Sequence, residues 1–338
     1  MLKVGFIGLG MGRAHMKGAA AHADAKVVAC CDIVEERRKN KDGVDVAEEF
    51  PGCAFYTDYK EMIAKEELDA VVIASPDQLH REMCEYCLNA GLHVLCEKPL
   101  ALTEEDCLAI VAAAEKSDKK FMVGQICRYT PGFVGAKKLI KEGRIGELTF
   151  VESEYAHDYD HMFKANAGKE YWRNDPLRNG VVGGGCHAID LLRWIAGDIE
   201  EVCALSVKKT LTYLPYDDTH VGIMKIKGGI IGKVFVSISC KRNYTMRSVF
   251  YGTKGTIITD NTSDHFTLFY TDDEGKLQTE TVPVDINNHN ATGEFADFYK
   301  TIAEDLPVST PAIEGCKTVQ AALAIVKSAE LGGVPVKL

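Results

Sequence analysis

The residues in this chain whose types and spacing are best suited to chemistry form a glycine-rich turn, Gly8-Leu9-Gly10-Met11-Gly12-Arg13, followed by an aspartate, Asp32. The turn follows an apolar strand at 2–7, and Asp32 ends the next apolar run. In such a unit Gly8 permits the tight turn, and Gly10 lets the backbone approach a pyrophosphate at the following helix N-terminus. A carboxylate at about this 20-residue interval accepts ribose hydroxyls. The spacing therefore predicts a dinucleotide site.

The aspartate also bears on which dinucleotide is bound. Asp32 would accept the ribose hydroxyls of NAD and repel the 2′-phosphate of NADP, so we expect NAD and keep NADP as the weaker alternative. Arg37 and Arg38 lie one or two helical turns further on and can neutralise a phosphate. Arg13 stands where the third glycine of the motif is expected, with Gly12 one place earlier. We therefore expect the helix to begin slightly differently from the usual pattern.

Three more polar segments follow continuous apolar runs at 69–74, 92–96 and 121–124. Such runs are typical of parallel strands, and open parallel sheets bind ligands at the carboxyl ends of their strands. Lys98 follows the second run and can present its ammonium to a substrate oxygen, although a surface lysine before a turn proline is the alternative. The residues predicted to bind the cofactor are Gly8, Gly10, Met11, Gly12, Arg13, Asp32, Ser75, Pro76, His80, Glu97, Lys98 and Gln125.

A second group of chemically suited residues lies at 183–194, where three glycines precede Cys186-His187-Ala188-Ile189-Asp190. The glycines would let the backbone come close to a ligand. His187 and Asp190 stand three residues apart and share one face of a helix, where the carboxylate can orient the imidazole. Histidine is suited to general-base catalysis because its pKa lies near neutral. An ordinary helix cap before an amphipathic helix is the alternative.

The composition is typical of a globular protein that binds neither nucleic acid nor membrane. Of 338 residues 46% are hydrophobic, and the formal net charge of −10 argues against a nucleic-acid surface. No run approaches the 18 or so apolar residues of a membrane span, and Met1 leads straight into an apolar strand, so we expect a cytoplasmic protein. Most of the twelve cysteines lie in apolar segments and are expected to be reduced thiols. Cys84 and Cys87 have metal-binding spacing but no second pair nearby.

The order of apolar runs divides the chain into two domains. Strands alternate with helices up to residue 124, which predicts a Rossmann dinucleotide-binding domain with a parallel sheet at 1–124. From 148 to 282 strand patterns follow one another with short turns. They predict an α/β domain with a large, mostly antiparallel open sheet at 125–338, for substrate binding and oligomerisation. Helices are predicted at 131–142, 292–304 and 314–331.

Five ordered motifs resemble those of a known family, the glucose-fructose oxidoreductase, inositol dehydrogenase and rhizopine-catabolism (Gfo/Idh/MocA) oxidoreductases. The motifs are Glu97-Lys98-Pro99, Arg128-Tyr129, Ile145-Gly146-Glu147, Tyr171-Trp172-Arg173 and the glycine-rich segment ending in His187-Ala188-Ile189-Asp190. The resemblance covers essentially the whole chain. It implies NAD(P) binding and oxidation of a sugar or polyol hydroxyl, with Lys98 matching the catalytic lysine and His187 the catalytic histidine. Many members carry an acidic residue four positions before that histidine, where this chain has Gly183.

The resemblance and the residues together predict a mechanism. His187 would take the substrate hydroxyl proton as hydride leaves for nicotinamide, while Lys98 holds the developing oxyanion or carries its proton. Asp190 is the third residue predicted to be catalytic. The residues predicted to bind the substrate are Arg128, Tyr129, Tyr155, His157, Trp172, Arg173 and His187. Two other functions are open on this scaffold: a glycosidase that oxidises its sugar transiently, and a non-catalytic sensor of cofactor and sugar.

We expect no bound metal. His157 and His161 enclose two acidic residues, but alternation in an extended segment places the histidines on one side and the acids on the other. These groups therefore do not converge on an ion.

Assembly is predicted from the strand pattern at 233–240. One face carries Val234, Val236, Ile238 and Cys240, and the other carries Lys233, Phe235, Ser237 and Ser239. The second face is neither strongly charged nor fully apolar, which suits a sheet covered by another subunit. We expect a homodimer or homotetramer with Phe235 in or near the contact, and the family resemblance implies the same.

Overall fold

A computed structural model describes residues 1–168 and 171–338. The described residues form two compact units, each built on its own sheet. The first unit contains 1–126 and 290–316, and the second contains 127–289 and 317–338. The predicted domains are 1–124 and 125–338. The observed units differ from them mainly because residues 290–316 return to the first unit.

The first unit contains a six-stranded sheet in which every neighbouring pair is parallel. Its strands are β1 (Leu2–Ile7), β2 (Ala25–Cys31), β3 (Ala54–Tyr56), β4 (Ala70–Ile73), β5 (His93–Glu97) and β6 (Phe121–Gly124), in the spatial order β3-β2-β1-β4-β5-β6. All residues of β4 and β6 are buried, as the continuous apolar runs predict. The glycine turn after β1 and Lys98 after β5 lie at the same edge, where the parallel strands end. The predicted Rossmann sheet is confirmed.

The second unit contains a nine-stranded, mostly antiparallel sheet. Its strands are β7 (Leu148–Ala156), β8 (Ile199–Val207), β9 (Thr219–Ile226), β10 (Ile230–Ser237), β11 (Thr245–Gly252), β12 (Gly255–Asp260), β13 (His265–Thr271), β14 (Leu277–Pro283) and β15 (Val336–Lys337). The order is β14-β13-β12-β11-β7-β10-β9-β8-β15, and β7 and β10 pair in parallel. The predicted open sheet is confirmed. The face of β10 that was predicted to meet another subunit differs in one detail. The strand ends at Ser237, so Ser239 lies beyond it, and both serines are buried.

Helices flank both sheets, and one of them explains the shifted boundary. The helices are α1 (Gly12–Ala20), α2 (Val46–Glu49), α3 (Tyr59–Lys65), α4 (His80–Asn89), α5 (Glu104–Lys116), α6 (Pro131–Lys141), α7 (Asp160–Ala165), α8 (Cys186–Ala196), α9 (Ala291–Ala303) and α10 (Ala312–Glu330). Within the first unit α9 packs against α1 and buries Phe295 and Phe298 completely. Burial of these rings is the physical reason why 290–316 belongs to the first unit. Among the described residues, no helix combines the length and hydropathy needed to cross a membrane.

Two local segments differ from their predicted forms. The chain at 157–161 is not extended throughout, because α7 begins at Asp160, so the alternation predicted for His157 and His161 does not apply. A π-helical turn at Val181–Gly185 leads directly into α8, so the glycines are part of the helical entry.

Candidate active site

The turn after β1 has the geometry that a pyrophosphate requires. Gly8 has φ of +89°, and a Cβ there would lie 2.5 Å from the Ala74 carbonyl oxygen, so glycine is needed at this position. A Cβ at Gly10 would meet no atom within 4 Å, which leaves open space over the turn. The helix α1 begins at Gly12, and its first N–H groups have no partners within the helix. Met11 lies exposed beside this space.

Asp32 is buried and fixed at the end of β2 by three donors. Its Oδ2 accepts the Leu9 N–H at 2.8 Å and lies 3.2 Å from Arg37 Nη1, while its Oδ1 accepts the Val34 N–H at 2.9 Å. The bond to Leu9 ties the carboxylate directly to the glycine turn. This arrangement fits a carboxylate that receives ribose hydroxyls next to the pyrophosphate.

A cavity of about 340 Å³ opens beside Asp32. Arg13 frames it by pairing with Glu49 and donating to the Arg37 carbonyl oxygen at 2.8 Å, so this departure from the glycine motif has a structural use. The cavity is lined by Leu9, Arg13, Lys17, Arg37, Lys39, Asn40, Lys41 and Asp42. Cations outnumber the single acid in this lining, which makes the cavity electropositive.

A buried charge cluster lies under the loop that carries Lys98. Glu97 Oε1 lies 2.7 Å from His15 Nε2, and Glu294 Oε2 lies 3.6 Å from His15 Nδ1. Burial opposes both charges, yet the His15–Glu97 hydrogen bond raises the pKa of His15 and lowers the pKa of Glu97 to about 2. Burial, reinforced by the charge of Glu97, raises the pKa of Glu294 to about 8. The Glu97 carboxylate also accepts the Lys98 N–H at 3.1 Å, so the cluster positions the Lys98 backbone.

His80 connects two of the loops that follow the strands. Its ring is fully buried, with Nδ1 3.0 Å from the Pro99 carbonyl oxygen and Nε2 3.2 Å from the Ser75 carbonyl oxygen. Both partners are acceptors, so both ring nitrogens donate and the ring fits as an imidazolium. His80 therefore holds Ser75 and Pro76 against the Lys98–Pro99 loop. The predicted direct contact of these residues with the cofactor stays a prediction.

Gln125 follows β6, and its buried side-chain amide makes no hydrogen bond to the described residues. It is 1% exposed, and neither its amide nitrogen nor its amide oxygen has a hydrogen-bond partner among the described residues. A buried amide in this state costs free energy unless a bound molecule supplies a donor and an acceptor. Together with the open glycine turn and the fixed Asp32, Gln125 fits a nicotinamide dinucleotide as the missing partner.

In the second unit His187 stands at the start of α8 and is 2% exposed. Its Nδ1 lies 3.1 Å from Cys127 Sγ. The Tyr155 ring stacks on the imidazole, with centroids 6.1 Å apart, and the His289 ring lies 5.7 Å away. These contacts fix the orientation of the imidazole within the unit.

Asp190 forms a buried ion pair with Arg128. Its two carboxylate oxygens accept Arg128 Nε at 2.8 Å and Arg128 Nη2 at 2.7 Å, and Oδ1 also accepts the Thr318 hydroxyl at 3.2 Å. A buried guanidinium thus binds both oxygens in a bidentate pair, and the orientation of His187 by Asp190 stays a prediction. Tyr129, next to Arg128, is half-buried at the end of a short helical turn.

A polar aromatic cluster extends from His187. Tyr155 Oη lies 2.6 Å from Tyr159 Oη and 3.2 Å from His157 Nδ1. Burial, assisted by the positive charges of His161 and Arg173, lowers the pKa of His157 to about 4. His157 is therefore a neutral ring near pH 7 that can exchange hydrogen bonds with a polyhydroxylated ligand.

The three glycines before α8 make room for side chains of their own unit. A Cβ at Gly183 would lie 2.4 Å from Arg178 Nη1, and a Cβ at Gly184 would lie 2.5 Å from the Tyr155 ring. A Cβ at Gly185 would lie 2.6 Å from Val236. Side chains of the same unit fill the space beside Gly184 and Gly185, whereas the neighbour of Gly183 is the end of the flexible Arg178 side chain. The close approach of a ligand to these glycines stays a prediction.

One group of side chains has the composition of a metal site. Cys127, His187 and His289 each offer a ligand atom, and these atoms lie within 4.8 Å of one another. Met246 Sδ lies 3.7 Å from Cys127 Sγ. Imidazole and sulfur ligands suit zinc or copper, but an ion here would occupy the histidine that is predicted to act as the base. The absence of a metal stays a prediction.

Several residues around His187 were not singled out by the sequence. The centroid of the Tyr244 ring lies 4.6 Å from that of His157 and 5.4 Å from that of Tyr155, and the His289 ring lies 5.7 Å from His187. Neither belongs to a local motif, because each comes from a separate part of the chain. Cys127 alone had a signal, since it lies beside Arg128 in a segment already selected.

Comparison with known proteins agrees with this architecture. The model of the Gfo/Idh/MocA oxidoreductase family with its NAD-binding Rossmann fold matches residues 2–125, and the model of the Gfo/Idh/MocA C-terminal domain matches residues 133–258. Inositol 2-dehydrogenase 2 of Saccharopolyspora erythraea is 30% identical over 260 residues, which are 76% of this chain and 72% of that protein. The inositol 2-dehydrogenase/D-chiro-inositol 3-dehydrogenase of Halalkalibacterium halodurans is 30% identical over 251 residues, or 73% and 68% of the two chains.

A solved structure shows the same fold along nearly the whole chain. Levoglucosan dehydrogenase in complex with NADH and L-sorbose superposes with a TM-score of 0.88 at 26% identity, covering 99% of this chain and 98% of that one. The first family model covers the whole Rossmann sheet, and the second covers β7 to β11 and the start of β12. The geometry of the glycine turn and Asp32 fits the NAD of the first model. The chain belongs to the Gfo/Idh/MocA family of oxidoreductases, and its first unit is the NAD-binding Rossmann fold of that family.

Proposed function

We propose that the protein interconverts a hydroxyl and a carbonyl group on a sugar or polyol with NAD as cofactor. The observation that carries the proposal is the buried His187, whose imidazole is fixed by Cys127 and Tyr155 at the start of α8. Two relatives named as inositol dehydrogenases and a structural neighbour named levoglucosan dehydrogenase support this substrate class. Bound NAD supplies the acceptor of the hydride.

His187 acts as the general base. When Nδ1–H donates to the Cys127 sulfur, Nε2 can accept the proton of the substrate hydroxyl. The stacked Tyr155 ring limits rotation of the imidazole, which keeps Nε2 in one direction. In the reverse reaction the imidazolium returns that proton to the carbonyl oxygen.

Lys98 stabilises charge on the reacting oxygen. Its ammonium donates to the oxygen while negative charge develops there, or carries the proton onward. The buried carboxylate of Glu97 accepts the Lys98 N–H and is itself held by His15, so the backbone of this loop is fixed before substrate arrives. Preorganised donors of this kind need no rearrangement during the reaction.

The remaining predicted substrate residues have different roles. Tyr129, Tyr155, His157, Trp172 and Arg173 offer donors and aromatic surface to a polyhydroxylated ligand. The Arg128 guanidinium forms a bidentate pair with Asp190, and this pair fixes the segment before α6 against α8. Asp190 therefore supports His187 through the position of its helix.

Two variants test the proposed roles. Lys98→Met and His187→Ala should each lower kcat by about a thousandfold with the true substrate, found by screening polyols, aldoses and sugar acids with NAD at the NADH absorbance. NAD binding, measured by titration, should change little. Lys138→Met on the exposed side of α6 is the matched control. A folded variant that binds NAD and keeps turnover within a few-fold of the parent would remove that residue from the mechanism.

Two other functions are tested by adding a chromogenic glycoside and a sugar-binding measurement to this screen. A glycosidase with transient redox would release the aglycone from a chromogenic glycoside without net NADH formation. A sensor would bind NAD and sugar without turnover of any substrate. Either result would replace the dehydrogenase proposal.

A further inference from the structure

We propose that Cys127, His187 and His289 form a binding site for a zinc ion, and that zinc bound there inhibits the enzyme reversibly. The metal site rests on the geometry of the second unit alone, whereas the inhibition rests on the proposed function of His187. The form of the enzyme that turns over substrate is the metal-free form.

The three side chains come from separate segments and converge. Cys127 follows β6, His187 lies at the start of α8, and His289 precedes α9. Each offers one ligand atom, and these atoms lie within 4.8 Å of one another. All three residues belong to the second unit, where Cys127 and His289 are the two ends of the segment 127–289. One ion would therefore link both ends of this segment to α8.

The distances suit a tetrahedral ion. Bonds of about 2.3 Å to sulfur and about 2.0 Å to nitrogen place the sulfur and a nitrogen roughly 3.5 Å apart, and two nitrogens roughly 3.3 Å apart. Cys127 Sγ lies 3.1 Å from His187 Nδ1, and no pair of ligand atoms is more than 4.8 Å apart. Side-chain shifts on the order of 1 Å are enough to close the three ligands around an ion of this geometry.

The ligands are held by neighbouring rings and are accessible at one point. Cys127 is 1% exposed and His187 is 2% exposed, while His289 is half-buried. The Tyr155 ring stacks on His187, and Tyr244 Oη lies 3.4 Å from His289 Nε2. The site is therefore largely preformed, and the exposed part of His289 gives an ion its way in from solvent.

The donor atoms select zinc. One sulfur and two imidazole nitrogens suit Zn²⁺, whereas Mg²⁺ and Ca²⁺ take oxygen ligands. Two nitrogens beside a single thiolate also favour Zn²⁺ over Cu⁺, which prefers sulfur. Asp190 lies on the same helix as His187, but Arg128 binds both of its oxygens. Three protein ligands leave the fourth tetrahedral position to water.

Binding exchanges a proton for the ion. Zinc binds the Cys127 sulfur as a thiolate, so the thiol proton is released to solvent and the site gains one positive charge. Arg128, the next residue in the chain, is already paired with Asp190, which limits its repulsion of the ion.

An ion at this site disables the predicted base. A neutral imidazole carries one proton on its two nitrogens, so an ion on Nδ1 moves the proton of His187 to Nε2. Nε2 then donates and cannot accept the proton of the substrate hydroxyl. An ion on Nε2 would occupy the accepting atom itself. Coordination through either nitrogen therefore stops proton transfer, and removal of the ion restores it.

Cobalt(II) gives a spectroscopic test that needs no substrate, because a tetrahedral Co²⁺ ion with a thiolate ligand is coloured. We expect the reduced, metal-free protein to bind about one Co²⁺ per chain with a thiolate absorption band, and Zn²⁺ to displace it. Cys127→Ser should remove the band. His289→Gln should weaken binding by about a hundredfold, since the loss of a ligand costs at least as much as the loss of a group behind it.

Cys203→Ser is the matched control for the cobalt spectra. Cys203 is a half-buried cysteine on β8 outside the cluster, so this variant should bind Co²⁺ like the parent. A folded parent without the band, or a Cys127→Ser variant that keeps it, overturns the inference. Because His289 is half-buried, His289→Gln decides the question if Cys127→Ser does not fold.

Inhibition is measured with the substrate found in the screen of polyols and sugars. Zn²⁺ should stop NADH formation, a chelator should restore it, and Mg²⁺ at the same concentration should have no effect. His289→Gln should need about a hundredfold more Zn²⁺ than the parent for half-inhibition, and Cys203→Ser should match the parent. Equal sensitivity of the parent and His289→Gln, or inhibition by Mg²⁺, overturns the inference.

The two proposals fail separately. Zinc binding that leaves turnover unchanged overturns the inhibition and leaves the dehydrogenase proposal intact. If no substrate turns over and the dehydrogenase proposal fails, the cobalt spectra of the parent, Cys127→Ser and His289→Gln still decide whether the metal site exists.

Discussion

Replacing Glu294 by glutamine should make the stability of the protein less sensitive to alkaline pH. Glu294 is fully buried, and neither of its carboxyl oxygens has a hydrogen-bond partner among the described residues. The groups that act on it are His15 on α1, Glu97 on β5, Asp297 on its own helix and Lys98. Burial is the main cause that raises its pKa from 4.5 to about 8; the positive charge of His15 acts against this shift, and the negative charge of Glu97 adds to it.

The direction in which stability changes with pH follows from whether the folded or the unfolded chain binds the proton more tightly. Between pH 4.5 and 8 the folded protein keeps a proton on Glu294 that the unfolded chain releases, so stability falls as pH rises through this window. The raised pKa of His15 acts in the same direction, since its contribution is present below 6.5 and is lost as pH rises. Glu97 acts at the other end, because its pKa of about 2 gives stability that is lost only in acid. The window for the experiment is therefore pH 6 to 9.

The magnitude can be worked from the shift. At about 1.4 kcal/mol per pH unit, the part of the Glu294 titration between pH 6 and 8 corresponds to about 3 kcal/mol of unfolding free energy. For units of this size that is roughly 5 to 10 °C in Tm. Glutamine has the same shape and does not titrate, so Glu294→Gln should lose less stability than the parent by about this amount.

The assay is thermal unfolding at pH 6, 7, 8 and 9 at constant ionic strength. Glu304→Gln, an exposed substitution just after α9, is the control and should follow the parent. Parallel Tm profiles for the parent and Glu294→Gln would refute the reasoning, because they would show that Glu294 does not titrate in the folded protein within this range.

Three further predictions concern the cofactor, the missing acid and assembly. NAD should bind the apo-protein about tenfold more tightly than NADP because Asp32 is fixed beside the glycine turn; tighter NADP binding would mean that the electropositive cavity outweighs Asp32. Gly183→Asp should place its carboxylate against Arg178 rather than His187 and lower kcat/KM, and a gain in turnover would contradict this. Phe235→Asp should dissociate a homodimer or homotetramer in light scattering behind size exclusion, since exposed Val221 lies opposite Phe235 on the neighbouring strand. If the unmutated protein has the mass of one chain at micromolar concentration, the prediction of a homo-oligomer is wrong.

The local parts of the fold could be predicted from the sequence, because each is encoded over a few residues. Apolar runs and turn residues located the strands of both sheets except the short strands β3 and β15, and the glycine turn with Asp32 indicated the cofactor region. The return of 290–316 to the first unit could not be predicted, because it depends on packing of α9 on α1. The pairing of Asp190 with Arg128 was missed for the same reason: helical spacing indicates which residues share a face, but not which distant side chain reaches that face.

Two features bear on the orientation of the His187 ring: the glycine at position 183, where many family members have an acidic residue, and the contact between Cys127 and His187. An acidic residue at position 183 would bring a negative charge to the start of α8, where Arg178 Nη1 now lies 2.4 Å from the place of a Cβ. Cys127 instead supplies a sulfur atom 3.1 Å from His187 Nδ1, which orients the ring without requiring a carboxylate. A carboxylate at position 183 would therefore meet Arg178, whose guanidinium lies over the Trp172 ring at 4.5 Å. In this chain a sulfur atom and a stacked tyrosine ring orient the histidine, and a guanidinium lies where the side chain of an acidic residue at position 183 would begin.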